Sequence, residues 1–100
     1  MDKYCFSLVC GVDIEEKVLD SLLENFGSNV FISLPTFSHG TAHGRLSALE
    51  QVLGRSHSVY IQILLTGAEV EALRQTLQLE FKGTGIRYWA SQLSVEGEVA

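Results

Sequence analysis

Three histidines and a set of glycine-flanked basic residues are the parts of this chain whose types and spacing could do chemistry. His39 and His43 lie in a polar run, Ser38-His39-Gly40-Thr41-Ala42-His43-Gly44-Arg45, and His57 closes the same region. Neutral imidazoles are ligands for Zn²⁺ or Cu²⁺, and a separation of four residues would put His39 and His43 on one helical face. Gly40 and Gly44 disfavour a helix there. The three rings would then meet a metal ion only through a loop, across a subunit boundary if need be; the plainer expectation is solvated loop histidines.

The basic residues suggest a second chemistry. Arg45 and Arg55 each follow a glycine, and Lys82-Gly83-Thr84-Gly85-Ile86-Arg87 repeats the theme near the end of the chain. Exposed backbone N–H groups beside guanidinium groups suit an anion such as phosphate. Arg45, Arg55, Lys82, Gly83, Thr84, Gly85 and Arg87 are therefore candidate ligand or anion contacts. Glycines that only make turns, with basic residues that only balance nearby acids, form the competing expectation.

Other chemistries find no support. No Walker A, GxGxxG or HExxH pattern is present. Glu15 and Glu16 are adjacent, so on a helix they project about 100° apart and do not converge on one substrate atom. An acylphosphatase would need an arginine in the loop after the first strand, where Gly11-Val12-Asp13 stands, and a heavy-metal-associated domain would need a CxxC. No catalytic residue is expected, and the chain is read as a non-enzyme.

Composition narrows the partners. Seven Lys and Arg against twelve Asp and Glu leave a net charge of -5, which opposes nucleic-acid binding by counterion release. No apolar run approaches the roughly 20 residues of a membrane span. Cys5 and Cys10 fall on opposite faces of one strand, about 16 Å apart, and cannot pair within a chain. A cytoplasmic protein with two free cysteines acting as small hydrophobes is expected.

The elements that must position these residues follow from periodicity. Ile14, Val18, Leu19, Leu22, Leu23 and Phe26 recur at helical spacing, with Asp13 as the expected N-cap, Glu16 completing a capping-box variant, and Gly27 as the stop. Strands are expected at 4–10, at 29–37 with Pro35 marking an end or an edge position, at 58–65 and at 86–95. Thr66-Gly67-Ala68-Glu69 has capping-box spacing ahead of Val70, Leu73, Leu77 and Phe81. The order is that of an α+β, ferredoxin-like βαββαβ sandwich with a long loop, about 38–57, between strands 2 and 3. One domain is expected over 1–100, with its core at about 3–95 and a frayed tail at 96–100; Leu46, Leu49, Val52 and Leu53 suit a partly helical or mobile insertion at 44–53, while Gln51 to Arg55 could instead begin the third strand. Helices on one sheet face leave the other to Phe31, Phe37, Tyr60, Trp89 and Leu93, an apolar load that implies an oligomer.

This layout resembles the PII-like proteins of the GlnB/CutA-type ferredoxin-like superfamily, with a T-loop after the second strand and a B-loop before the last, over residues 3 to 95. Phe37-Ser38-His39-Gly40, Glu50-Gln51-Val52-Leu53-Gly54-Arg55 and Gly85-Ile86-Arg87-Tyr88-Trp89 resemble a family of small PII-like proteins often encoded beside heavy-metal efflux systems. The resemblance implies a homotrimer whose sheets line its interior, with ligand clefts between subunits. It also implies a regulatory role, linked to metal efflux or nitrogen-type regulation, in which the T-loop acts on a protein target such as a membrane transporter. A nucleotide or a Zn/Cu ion is the implied ligand class. The short turn Gly83-Thr84-Gly85 and the lack of tyrosine in 38–57 set the chain apart from nucleotide-binding, uridylylated PII proteins. The alternative is a small transition-metal sensor or buffer built on His39, His43 and His57.

Overall fold

The structure, a computed structural model, describes residues 2–40 and 55–100, with the backbone alone at Arg55. Strand β1 (Lys3–Gly11) leads through a 3₁₀ turn (Val12–Ile14) into helix α1 (Glu15–Phe26); β2 (Phe31–His39) and β3 (Arg55–Thr66) follow, then α2 (Gly67–Glu80) and β4 (Arg87–Gln92). The strands form one sheet in the order β2-β3-β1-β4, with each neighbouring pair antiparallel. That is the expected α+β sandwich. Pro35 sits within β2, where an edge strand tolerates its missing N–H.

Register sorts the side chains, because residues directly opposite share a face and faces alternate along each strand. The rows Phe31–Ile63–Phe6 and Ser33–Ile61–Leu8–Tyr88 face the helices. Phe6, Leu8, Ile61, Ile63 and Leu65 there join Val18 and Leu22 of α1 and Leu73 and Leu77 of α2 in one core. The other face presents Ile32–Gln62–Ser7–Trp89 and Leu34–Tyr60–Val9–Arg87. Phe31 and Phe37 therefore belong to the helix side and not to the second apolar face, since β2 begins at Phe31 and both fall in step with Ile63. Tyr60 and Trp89 lie on the open face as expected. Leu93 follows β4 and donates its N–H to the Lys3 carbonyl at 2.9 Å.

Local signals succeeded unevenly. The second capping box is complete: Thr66 Oγ1 accepts from the Glu69 N–H at 3.2 Å, and the Glu69 carboxylate accepts from the Thr66 N–H at 2.9 Å. Asp13 does not cap α1. The chain winds into the 3₁₀ turn straight after β1, which places Asp13 inside that turn and Ile14 at the N-cap without a side-chain bond. Leu23, at helical spacing with the core residues, points outward. Cys10 is buried and Cys5 half-buried, both as free thiols. Burial, reinforced by Glu15 and Asp13, pushes the Cys10 thiol up to about 11, which suits an inert core residue.

The loop expected over 38–57 is shorter than that. β2 and β3 pair on through Phe37↔His57, Ser38↔Ser56 and His39↔Arg55. These three pairs lie beyond the last β1 partner, Gly11↔Ser58, so the hairpin projects about 10 Å past the four-stranded sheet. His43, Arg45 and the partly helical or mobile insertion expected at 44–53 lie outside the described residues.

Candidate functional site

The projecting hairpin gives two expected site residues a common setting. His39 and His57 both stand on its helix-side face, on neighbouring strands, as diagonal partners across two rungs of the ladder. Such diagonal neighbours lie about 7–8 Å apart. Phe37 lies directly opposite His57, with ring centroids 4.8 Å apart and planes tilted by 59°. Both histidines are exposed. Among the described residues no group of three or more metal-ligating side chains forms.

The opposite face of the same hairpin is stitched by hydroxyls. Ser38 Oγ lies 2.6 Å from Ser56 Oγ and 2.7 Å from Ser58 Oγ, and Ser58 is buried. These bonds run between the strands. They tie the root of the hairpin to the sheet, and no single-residue signal in the sequence announces them, because 18 and 20 residues separate the partners.

The glycine turn after α2 is built as a helix terminator. Gly83 and Gly85 have φ of 82° and 81°, a left-handed conformation that glycine adopts without a Cβ clash. Between them Thr84 donates both its N–H, at 3.2 Å, and its hydroxyl, at 2.7 Å, to the Phe81 carbonyl. Lys82, Gly83 and Gly85 line a cavity of about 150 Å³ with Phe81, Ile86 and Tyr88. Tyr88 stacks on Phe6 at 5.5 Å, and its hydroxyl accepts from Arg74 Nε at 3.4 Å; that bond holds the phenol below its usual range. Arg87 belongs to the open face, in the row of Val9, Tyr60 and Leu34. Within one chain, then, the glycine turn and Arg87 lie on opposite sides of the sheet. Arg55 contributes its backbone to the hairpin opposite His39, and Arg45 lies outside the described residues.

The open face combines exposed apolar groups with a polar seam. Ile32, Leu34 and Trp89 are 51%, 46% and 44% exposed. Trp89 meets Tyr60 edge-on, with centroids 6.1 Å apart. Beneath them Tyr60 Oη bonds Ser7 Oγ at 3.4 Å and accepts from Gln62 Nε2 at 3.1 Å.

Sequence reasoning missed a cavity of about 360 Å³ at the far end of the sheet, beside Lys3, Asn29, Leu64, Glu69 and Glu96. Asn29 Nδ2 donates to the Leu64 carbonyl at 2.9 Å and lies 3.3 Å from both Glu69 carboxylate oxygens. The Glu69 carboxyl is held below its usual range chiefly by the Thr66 N–H, with Asn29 and Thr66 side-chain bonds and the charge of Lys3 assisting against desolvation. The capping box exposed one half of this cluster in the sequence. Asn29, 40 residues away from Glu69, left no signal.

Comparison with known proteins agrees with this architecture. The family model described as "Protein of unknown function (DUF3240)" matches residues 1–100, and the chain belongs to that family. A DUF3240 family protein from Shewanella baltica has the same fold, with a TM-score of 0.79 at 19% identity over 100% of this chain and 99% of that one. The periplasmic divalent cation tolerance protein CutA from Archaeoglobus fulgidus superposes with a TM-score of 0.70 at 10% identity, covering 96% and 88% of the two chains. A putative PII-like signaling protein from Thermus thermophilus gives 0.62 at 14% identity, covering 91% and 89%. No curated protein matches in sequence. The fold is thus of the PII-like and CutA type, and among the described residues no helix is long and apolar enough to cross a membrane.

Proposed function

We propose that this DUF3240 member is a PII-like regulatory protein, a single-domain homotrimer that senses a small ligand and acts on a protein target through the segment between β2 and β3. The observation behind this reading is the open sheet face, whose Ile32, Leu34 and Trp89 stay about half exposed in the lone chain. Monomers rarely leave such a surface uncovered. Closing three sheets around a threefold axis covers it and points all three projecting hairpins in the same direction, which makes a composite surface for a target such as a transporter. The role needs no catalysis. Two free thiols suit a cytoplasmic location, where cysteines are kept reduced.

A ligand cleft between subunits would use Lys82 and the Gly83-Thr84-Gly85 turn of one chain with Arg87, Arg55 or Arg45 of the next. The turn follows the negative, C-terminal end of α2, and the Thr84 N–H is committed to Phe81. An anion or nucleotide would then be met by the basic side chains together with the glycine backbone on either side of Thr84. The reading in which the protein is a transition-metal sensor or buffer is favoured by one specific feature, the shared hairpin face of His39 and His57, with His43 as the further candidate ligand.

Light scattering with calorimetric titration of ATP, ADP, Zn²⁺ and Cu²⁺ tests both readings. A mass of about three times 11.0 kDa and a saturable ligand support the regulatory trimer. A monodisperse monomer at micromolar concentration overturns the trimer and the intersubunit cleft together.

A further inference from the structure

The strands bring together two histidines that the sequence holds far apart. His39 and His43 are four apart in the chain, whereas His39 and His57 are 18 apart and stand on the same face of paired strands. We infer that His39 and His57 form a bis-imidazole clip that binds one borderline divalent ion, Zn²⁺ or Cu²⁺, across the root of the β2–β3 hairpin. This deepens the metal reading above and rests on it.

The strand register is compatible with such an ion. A tetrahedral Zn²⁺ accepts nitrogen at about 2.0–2.1 Å from each ring, and water completes the coordination of an exposed site. Diagonal Cα atoms about 7–8 Å apart leave room for two imidazoles to reach inward to one ion between them. The contact with Phe37 fixes the His57 ring on this face, so less side-chain freedom is lost on binding. Position adds a consequence. The clip would span the part of the ladder that β1 no longer supports, joining strands whose opposite face is tied by the Ser38–Ser56 and Ser38–Ser58 hydroxyl bonds. Metal binding would brace the base of the segment proposed to contact the target.

The test is calorimetric titration of the metal-free full chain with Zn²⁺ and separately with Cu²⁺, for the native sequence and the variants His39→Ala and His57→Ala. The expected result is one ion per chain and a loss of at least tenfold in affinity for His39→Ala and for His57→Ala. Light scattering and circular dichroism on each variant verify that assembly and fold persist. A His57→Gln variant serves where alanine perturbs the hairpin. Undiminished binding in either His39→Ala or His57→Ala overturns the clip while the metal reading stands. No saturable binding by the native chain removes the metal reading altogether.

Discussion

Placing a charge on each edge strand of the open face should dissolve the proposed trimer without unfolding the subunit. Leu34 and Trp89 occupy adjacent rows of that face, 46% and 44% exposed, and neither belongs to the core between sheet and helices. Full burial of a large apolar side chain stabilises by about 1.5–3 kcal/mol, so covering the exposed half gains about 1 kcal/mol at each position. Replacing both by aspartate removes about 2 kcal/mol per chain and about 6 kcal/mol per trimer, before any cost of desolvating the new carboxylates. At about 1.4 kcal/mol per tenfold, the association constant falls by about four orders of magnitude or more. Light scattering over a concentration series should then report a species of 11.0 kDa for Leu34→Asp/Trp89→Asp where the native chain gives about three times that mass. Circular dichroism should stay native. A double variant that remains trimeric would refute the assignment of this face to the subunit interface, and one that unfolds would show that the face supports the monomer itself.

Other perturbations probe the elements around the site. Thr66→Ala should lower stability by about 1 kcal/mol, seen as a melting shift of about 4–8 °C, because it removes the acceptor for the Glu69 N–H. Glu69→Gln should be less stable than the native protein by under about 1 kcal/mol at pH 7, given its solvent screening. Since folding lowers the Glu69 pKa from 4.5, that contribution is present above pH 4.5 and is lost as pH falls through the folded value; urea titrations at pH 7 and pH 3 should show the difference shrinking at acid pH. Gly83→Ala should cost about 1 kcal/mol from its φ of 82°, with open space around the new Cβ, and a variant as stable as the native chain would contradict that backbone conformation. In the monomeric Leu34→Asp/Trp89→Asp variant, iodoacetamide at pH 8 should label half-buried Cys5 first and Cys10, whose thiol is pushed up to about 11, only on unfolding.

The elements legible in the sequence were those announced by local signals. Val18, Leu22 and Phe26 gave α1 by period, Thr66 and Glu69 gave the start of α2 by capping chemistry, and alternation from Val59 to Leu65 gave the central strand. The errors share a cause. Asp13 had the right type for a cap, but the turn after β1 tightened into a 3₁₀ winding that local spacing does not reveal. Two-residue periodicity says which residues share a face and not which face it is, so it cannot place Phe31 and Phe37 on the helix side; only pairing with Ile63 and His57 does that.

The candidate site shows the same division more sharply. Glycine at 40 and 44 argued against a helix across His39 and His43, and β2 does run in extended form as far as His39. Polar residues on both sides of the run made 38–57 look like one loop, since serines and histidines carry little strand propensity of their own. The ladder forms there because Ser38, Ser56 and Ser58 satisfy one another's hydroxyls on one face while Phe37 packs on His57 on the other. The partnerships that join the two strands cross 18 to 20 residues of chain, a distance at which composition and period are silent. Once that register exists, the chemistry follows from it: His39 shares a face with His57, 18 residues further on, and Arg87 lies on the open face, away from the glycine turn. Among the described residues, the hairpin thereby becomes the place where the proposed metal ligands and a hydroxyl-tied base coincide, next to the segment proposed to contact a target, and an ion bound there would brace that base without disturbing the core beneath it.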